Sequence, residues 1–499
     1  MGPVNVFEQL SLPFEGHLTP TAPARIPRTR RVFVNRNLKM AGIDWVGFDM
    51  DYTLAIYNQI EMDNLSIQAT VPKLVQRGYP EEILRAVEYP IEFPVRGLLI
   101  DKRYGNILKM DRFKVVHKGY HGLRELTKEE LRSLYHQKKV KPATARYHWI
   151  DTLYALSEAA LYAGIVDAFE KRGIELDFAR LFTDIRECID EAHRDGSILD
   201  VVLGDLPRFV DRDALLAPTL HKLRSAGKKL FLLTNSRWPY TERMMSYLLG
   251  DAMPEYPSFR HYFDLIIVAA QKPAFFQERR PLMQRDGTEL RAASYPLERG
   301  VIYEGGNLHD LEACLGVSGD RILYVGDHIY GDILRSKKES AWRTAMIIQE
   351  MEAEVLAHEM CREEHQKSAE LEQRREELED QLRFYQQRYK DLTRKIEDDP
   401  HKNGVSVHEA ERGRAKRAVE RIRGLLRAVD AEAGKLEREI DERFHKYWGS
   451  LLKESSEPSS FGDQVEEYAC LYTSRVSNLL AYSPLQYFRS PRDLMPHEL

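Results

Sequence analysis

The chain has 499 residues, 43% hydrophobic and 30% charged, with 73 Lys+Arg against 78 Asp+Glu for a net charge of -5. That length is too great for one ordinary core and predicts two or three domains. The near-balance of charge gives no reason to expect nucleic-acid binding, which needs a basic footprint. Cys188, Cys314, Cys361 and Cys470 lie far apart with no CxxC pair, so they read as reduced thiols rather than as a disulfide framework or a zinc site. The first residues lack a basic stretch followed by an apolar one, and Val6 stands where a myristoylation motif needs Ser or Thr. No apolar run approaches the ~20 residues that span a bilayer. The expectation is a soluble cytoplasmic protein with no nucleic-acid or membrane partner.

Residues 1–30 are rich in Pro and Arg without periodicity and read as an extended arm. Short apolar runs then recur, each followed by a turn and a helical stretch: 45–49 (WVGFD), 229–234 (KLFLLT), 263–269 (FDLIIVA), 321–325 (RILYV) and 343–348 (RTAMII). Continuous apolar runs of this length suit strands buried on both faces, and their alternation with helices predicts a parallel sheet in a three-layer, Rossmann-like α/β core over 31–60 and 220–350. About 180 residues separate the first two strands, too many for a simple crossover. An inserted domain is therefore expected over 61–219, with strands joined by turns at Gly105 and near Asp111, then a mainly helical part from residue 147 onward.

Beyond Met351, apolar positions fall at Leu378, Leu382, Tyr385, Tyr389, Leu392 and Ile396, spaced four and three apart. A second series runs Ala415, Val419, Ile422, Leu426, Val429, Ala433, Leu436, Ile440. Two heptad helices joined by EDDPHKNGVSVHEA predict a coiled-coil hairpin within 351–455, with 456–499 packing back on the core.

The densest chemical signal is Asp49-Met50-Asp51-Tyr52-Thr53, directly after the first strand. Open α/β sheets bind ligands beyond the carboxyl ends of their strands. There one acid can attack phosphorus and a second can handle the leaving-group proton, while the pair also suits a hard divalent ion. Thr234-Asn235-Ser236 ends the second strand, Lys272 follows the third, and Asp327 and Asp332 sit beside Gly326 and Gly331 after the fourth. Taken singly, Thr234 is also a helix cap, Lys272 a surface lysine and the acids turn residues. Together they place acids, a hydroxyl and a cation at successive strand ends.

That order resembles the haloacid dehalogenase superfamily of phosphohydrolases. The strings FDMDYTLAIY, FPVRGLLIDKRYGNILKMD, LLTNS, YFDLIIVAAQKPAFF, ILYVGDHIYGDILRSKK and LMPHE are similar to the cytosolic purine 5'-nucleotidases that prefer IMP and GMP, over roughly 31–350 and 460–499. The resemblance implies a nucleoside 5'-monophosphate substrate, with transfer of phosphate to a second nucleoside as an added activity. It implies Asp49 as nucleophile and Asp51 as acid and then base. Mg2+ is expected on the Asp49 and Asp327 carboxylates and the Asp51 carbonyl. Thr234, Asn235 and Lys272 are expected on the phosphoryl group, and Asp332 behind them. In the inserted cap it implies base and sugar contacts from Tyr154, Arg186, Asp190 and His193, and it implies a homo-oligomer.

Leu199 stands where the family has a lysine and Arg194 where it has a tyrosine, which leaves base preference open. Lys338 and Tyr330 stand at effector-site positions without the family's accompanying arginine. Two other readings compete: a phosphatase for a pyrimidine nucleotide or sugar phosphate, and a catalytically idle scaffold working through its helical hairpin.

Overall fold

The computed structural model describes residues 26–136, 140–334, 340–398 and 405–491. Most of the expected N-terminal arm, Lys338, the LMPHE string and part of the join between the two long helices lie outside them.

A ten-stranded sheet forms the core, and its strand at Trp45–Phe48 is flanked by Ile322–Gly326 on one side and Lys229–Leu233 on the other, all parallel. Leu265–Val268 and Ile302–Gly305 extend the parallel sheet beyond Lys229–Leu233, while Arg343–Ile347 and Leu471–Thr473 extend it at the opposite side. Phe48 pairs with Val325 and with Leu232, so neighbouring strands end level and their following loops share one edge. These central strands are buried throughout except for Lys229, as their unbroken apolar runs predict. Gly47 has a specific reason: a Cβ there would lie 2.1 Å from the Phe231 ring.

At one edge of the sheet, three strands carried no signal in the sequence. Ile302–Gly305 has only two fully buried side chains, and the antiparallel hairpin Leu282–Asp286 with Glu289–Ala292 is mostly polar, its outer strand wholly exposed. Edge pairing to Ile302–Gly305 creates that hairpin, not local apolar content.

The chain crosses from core to insertion through a two-stranded antiparallel ribbon, Ile56–Tyr57 against Val210–Asp211. Between these crossings lie the helices Gln59–Gln76, Leu156–Glu170 and Phe178–Arg194 and a five-stranded antiparallel sheet that includes Leu98–Asp101, Asn106–Met110 and Val116–His121. Asp177 caps the Phe178–Arg194 helix by accepting from the Ala179 and Arg180 N–H groups. Leu181, Phe182, Ile185, Cys188, Ile189 and Ala192 bury one face of that helix, which leaves Arg186, Asp190 and His193 off the core.

Helices Arg362–Glu397 and Val405–Phe444 run antiparallel, as the cross-pairs Lys367–Glu432, Arg388–Glu411 and Glu364–Arg443 require. Leu378 and Leu392 are buried on the first helix and Ala415, Val419, Ile422 and Leu436 on the second; the remaining positions of the expected seam are half-buried. At the base, Lys109 donates to the carbonyls of Trp448, Ser450 and Lys453, each at 2.7 Å, and pairs with Glu454 at 2.8 Å. The hairpin root is thereby tied to the sheet of the inserted unit. Among the described residues no helix is long and apolar enough to cross a membrane, and all four cysteines are free.

Candidate active site

The site begins where the Trp45–Phe48 strand stops. Asp49 keeps the sheet's pairing, donating its N–H to the Val325 carbonyl at 2.9 Å. The chain then coils, so that Thr53, Leu54 and Ala55 all donate to the Met50 carbonyl, and Tyr52 takes a positive φ of 53°. This turn brings the Asp51 carboxyl onto the same side as Asp49 instead of continuing the strand.

Lys272 lies under that loop with a side chain only 2% exposed. Its ammonium is 2.9 Å from Asp49 and 2.6 Å from Asp332, and it donates to the Tyr324 hydroxyl at 2.9 Å. Asn235 holds the Lys272 backbone from both sides, donating to its carbonyl at 2.9 Å and accepting its N–H at 2.5 Å. The carboxamide expected on the phosphoryl group is thus engaged in placing the lysine. Thr234 is fully buried and accepts the Ser236 N–H at 3.1 Å. Asp332 folds back over Gly326, where a Cβ would stand 2.6 Å from Asp332 side-chain atoms; only glycine admits that approach.

Carboxylate oxygens of Asp49, Asp327 and Asp332 all lie within 4.8 Å of one another, and all three residues are buried. Burial pushes the Asp49 carboxyl well up; Lys272 opposes this, and Asp332, Asp51 and Asp327 reinforce it. Burial likewise raises Asp327, to about 7, with Asp332 adding to the effect and Arg96 opposing it. Burial disfavours the Lys272 charge, but Asp332 and Asp49 outweigh it and hold the ammonium well above its ordinary range. Three buried acids crowd around one lysine, so burial and mutual repulsion oppose their ionising together. An all-oxygen donor set of this kind fits a hard divalent cation, which would restore the ionised forms.

The Asp51 carboxyl stands apart from that trio. Tyr57 donates to its Oδ1 at 2.5 Å and Ser236 to its Oδ2 at 2.6 Å. Tyr154 approaches from the insertion, its ring 4.7 Å from Tyr52, 6.3 Å from Tyr57 and 5.7 Å from His193. Farther out, Arg186 sits 2.8 Å from His148 Nε2 and 3.8 Å from Glu158. Burial pushes the His148 imidazole down to about 4, and Arg186 lowers it further, so the neutral ring accepts from the guanidinium. Asp190 is exposed one turn beyond Arg186; the i,i+4 contact open to these two residues gives way to the His148 contact. Tyr154 therefore meets both the acidic loop and His193, whereas Arg186 and Asp190 lie farther out.

Tyr57, Tyr324, Arg96, Asp151 and His328 were not among the expected site residues, and Ser236 was expected at the phosphate rather than on Asp51. Ser236 and Tyr57 lie within quoted strings, but nothing in their spacing marks them as partners of Asp51. His328 donates its N–H to Asp332 at 3.3 Å and faces Asp151 of the insertion at 3.4 Å, a contact that only the tertiary fold creates.

A parallel α/β core whose central strand delivers an acidic loop onto a buried lysine and two further acids carries the groups that phosphoryl transfer to a carboxylate requires. The chain belongs to the 5' nucleotidase family, which matches residues 32–499, and it is a phosphoric monoester hydrolase of that class. It is 28% identical over 479 residues to a 5'-nucleotidase domain-containing protein of Dictyostelium discoideum, the match covering 94% of this chain and 74% of that one. It is 28% identical over 482 residues to 5'-nucleotidase domain-containing protein 2 of Homo sapiens, covering 94% and 85%. Among solved structures, a predicted phosphoglycolate phosphatase from Haemophilus somnus matches with a TM-score of 0.27 and 14% identity, over 62% of this chain and 86% of that chain.

Proposed function

We propose that this chain hydrolyses purine nucleoside 5'-monophosphates of the IMP and GMP type to nucleoside and phosphate, with Mg2+, through an aspartyl-phosphate on Asp49. The observation that carries the reading is the placement of the Asp49 carboxylate at a central strand end, 2.9 Å from a buried ammonium and beside two more acids.

In the first step a carboxylate oxygen of Asp49 bonds to phosphorus as the ester P–O bond breaks. Asp51 gives its proton to the departing nucleoside oxygen. In the second, Asp51 removes a proton from water as the water oxygen bonds to phosphorus and the Asp49 acyl-phosphate bond breaks. An acceptor nucleoside in place of water would receive the phosphate instead. Lys272, held by Asn235 and Asp332, faces the charge that builds on the transferring group, and Thr234 lies at the end of the adjacent strand. The Asp49 and Asp327 carboxylates and the Asp51 carbonyl would hold Mg2+, which when bound screens the repulsion between carboxylate and phosphate. Tyr154 and His193 supply aromatic surface for a purine, and Arg186 with Asp190 supplies polar groups for its edge. The reading places the enzyme in the cytoplasm as a homo-oligomer, with the long helical pair as the assembling element.

A panel of nucleoside and sugar monophosphates assayed with and without Mg2+ tests it. The expected result is highest kcat/KM on a 6-oxopurine monophosphate and none without the metal, with phosphate release abolished in Asp49→Asn. A best substrate lacking a purine would replace the proposed specificity, and undiminished release by Asp49→Asn would remove the mechanism.

A further inference from the structure

Asp side chains have a broad, roughly two-fold terminal torsion, so a carboxyl that must deliver a proton to one oxygen needs outside help to hold its plane. Asp51 has that help on both oxygens, from Ser236 on Oδ2 and Tyr57 on Oδ1. Ser236 belongs to the strand-end segment expected for such a site. Tyr57 does not. It lies in the ribbon that carries the chain out of the core, paired with Val210 of the returning strand, and the next residue, Asn58, donates to the Phe209 carbonyl at 2.8 Å.

The Tyr57 ring is 3% exposed and packs 4.8 Å from Tyr52 and 6.3 Å from Tyr154. Phenylalanine would fill the same space. A hydroxyl buried in such surroundings is costly unless it is bonded, and this one bonds to Asp51 and, at 2.8 Å, to the Tyr240 hydroxyl. Because a phenol both donates and accepts, Tyr57 can give its proton to Asp51 while accepting from Tyr240. Tyr240 belongs to Trp238–Leu249, the helix that follows the Thr234–Ser236 segment. Tyr57 thus ties the Asp51 carboxyl to the core helix, to the crossing ribbon and, through Tyr154, to the insertion that would hold the nucleoside.

We propose that Tyr57 is a positioning residue for proton transfer, fixing the Asp51 carboxyl so that its proton reaches the leaving nucleoside oxygen. The role rests on the reading of Asp51 as acid given above. In that step the Asp51 O–H bond breaks and the proton joins the ester oxygen as its bond to phosphorus breaks. Tyr57 keeps its own proton throughout. The ribbon makes acid orientation and cap placement depend on one side chain.

The test is Tyr57→Phe, which removes the hydroxyl and leaves the ring packing, studied by single-turnover release of the leaving group from two substrates with saturating Mg2+. Release of nucleoside from inosine 5'-monophosphate needs a proton; release of nitrophenolate from p-nitrophenyl phosphate does not. The expected loss is about tenfold or more on the nucleotide and under about threefold on the aryl ester, with KM changed by less than about twofold, since general acid catalysis contributes ~10²–10⁴. Ser236→Ala should show the same leaving-group dependence. In an Asp51→Asn background, Tyr57→Phe should add less than about twofold, because its effect passes through Asp51. Equal losses on both substrates, or a full further loss in the Asp51→Asn background, would show Tyr57 to be merely structural. Wild-type protein that releases neither leaving group would instead defeat the functional reading itself, an outcome separate from those two.

Discussion

Arg96 donates from Nε and Nη2 to both carboxylate oxygens of Glu350, at 2.8 and 2.6 Å, with its own side chain fully buried. Its remaining nitrogen, Nη1, reaches the Asp327 main-chain carbonyl at 3.0 Å, and the guanidinium lies over the Phe461 ring. One cation therefore joins the start of the inserted unit's sheet, the residue that opens the helix leading to the hairpin, the Asp327 loop and the C-terminal segment. Removing Glu350, whose side chain is 28% exposed, strands the fully buried guanidinium, at a cost of up to about 3–5 kcal/mol. Glu350→Gln is expected to lose that much in urea unfolding, and Arg96→Met combined with Glu350→Leu to recover part of it. A loss below about 1 kcal/mol in the single variant would mean that solvent reaches the guanidinium.

Lys272 is shared by Asp49 and Asp332 with almost no exposure. Lys272→Met should lower kcat by about 10²–10³, the range for removing one preorganised donor at a developing charge, with a smaller change in KM. Lys272→Arg should not rescue it, because the bulkier fork has no room beneath the loop. Steady-state kinetics of both variants decide this; substantial turnover by the arginine variant would argue that any nearby cation suffices.

Asp63 is 3% exposed on the Gln59–Gln76 helix. Burial pushes its carboxyl up from 3.8 to about 7, against the opposing hydrogen bond from Gln59. Between these values the folded chain holds a proton that the unfolded chain has lost. Its contribution therefore lowers stability as pH rises through that window and stays lowered above it. Asp63→Asn keeps an acceptor for Gln59 and removes the titration. Relative to wild type, the variant should gain about 1–4 kcal/mol in unfolding free energy between about pH 4 and about pH 8. A constant difference across that range would place the Asp63 pKa near its ordinary value.

The helices Arg362–Glu397 and Val405–Phe444 bury few side chains against each other, and Phe384 and Leu425 remain exposed at 63% and 42%. Apolar surface along a long helical pair is a ready surface for a second copy. Replacing residues 371–440 with a short Gly-Ser turn should reduce the solution mass to that of one chain while changing turnover by less than about threefold. The Lys109 clamp at the root lies outside the deletion. Light scattering that shows an unchanged assembly would remove the helical pair from that role.

Much of the core was legible because its strands are buried on both faces and so announce themselves as unbroken apolar runs. The hairpin Leu282–Asp286 with Glu289–Ala292 was not, since an exposed edge owes its strands to pairing rather than to composition. The acids and the lysine were legible for a topological reason: parallel strands in register put the residues that follow them along one edge.

The sequence by itself determined the α/β class, the family and the order of chemical groups along the strand ends, because those follow from local patterning and from motif strings. Only the tertiary structure decided which side chains hold one another. Tyr57 and Ser236 take the two oxygens of Asp51, Asn235 turns to the Lys272 backbone, Arg186 takes His148, and Arg96 finds Glu350 across 254 residues. Such pairings depend on strand register, on rotamers and on where the chain re-enters the core, and no local pattern encodes them.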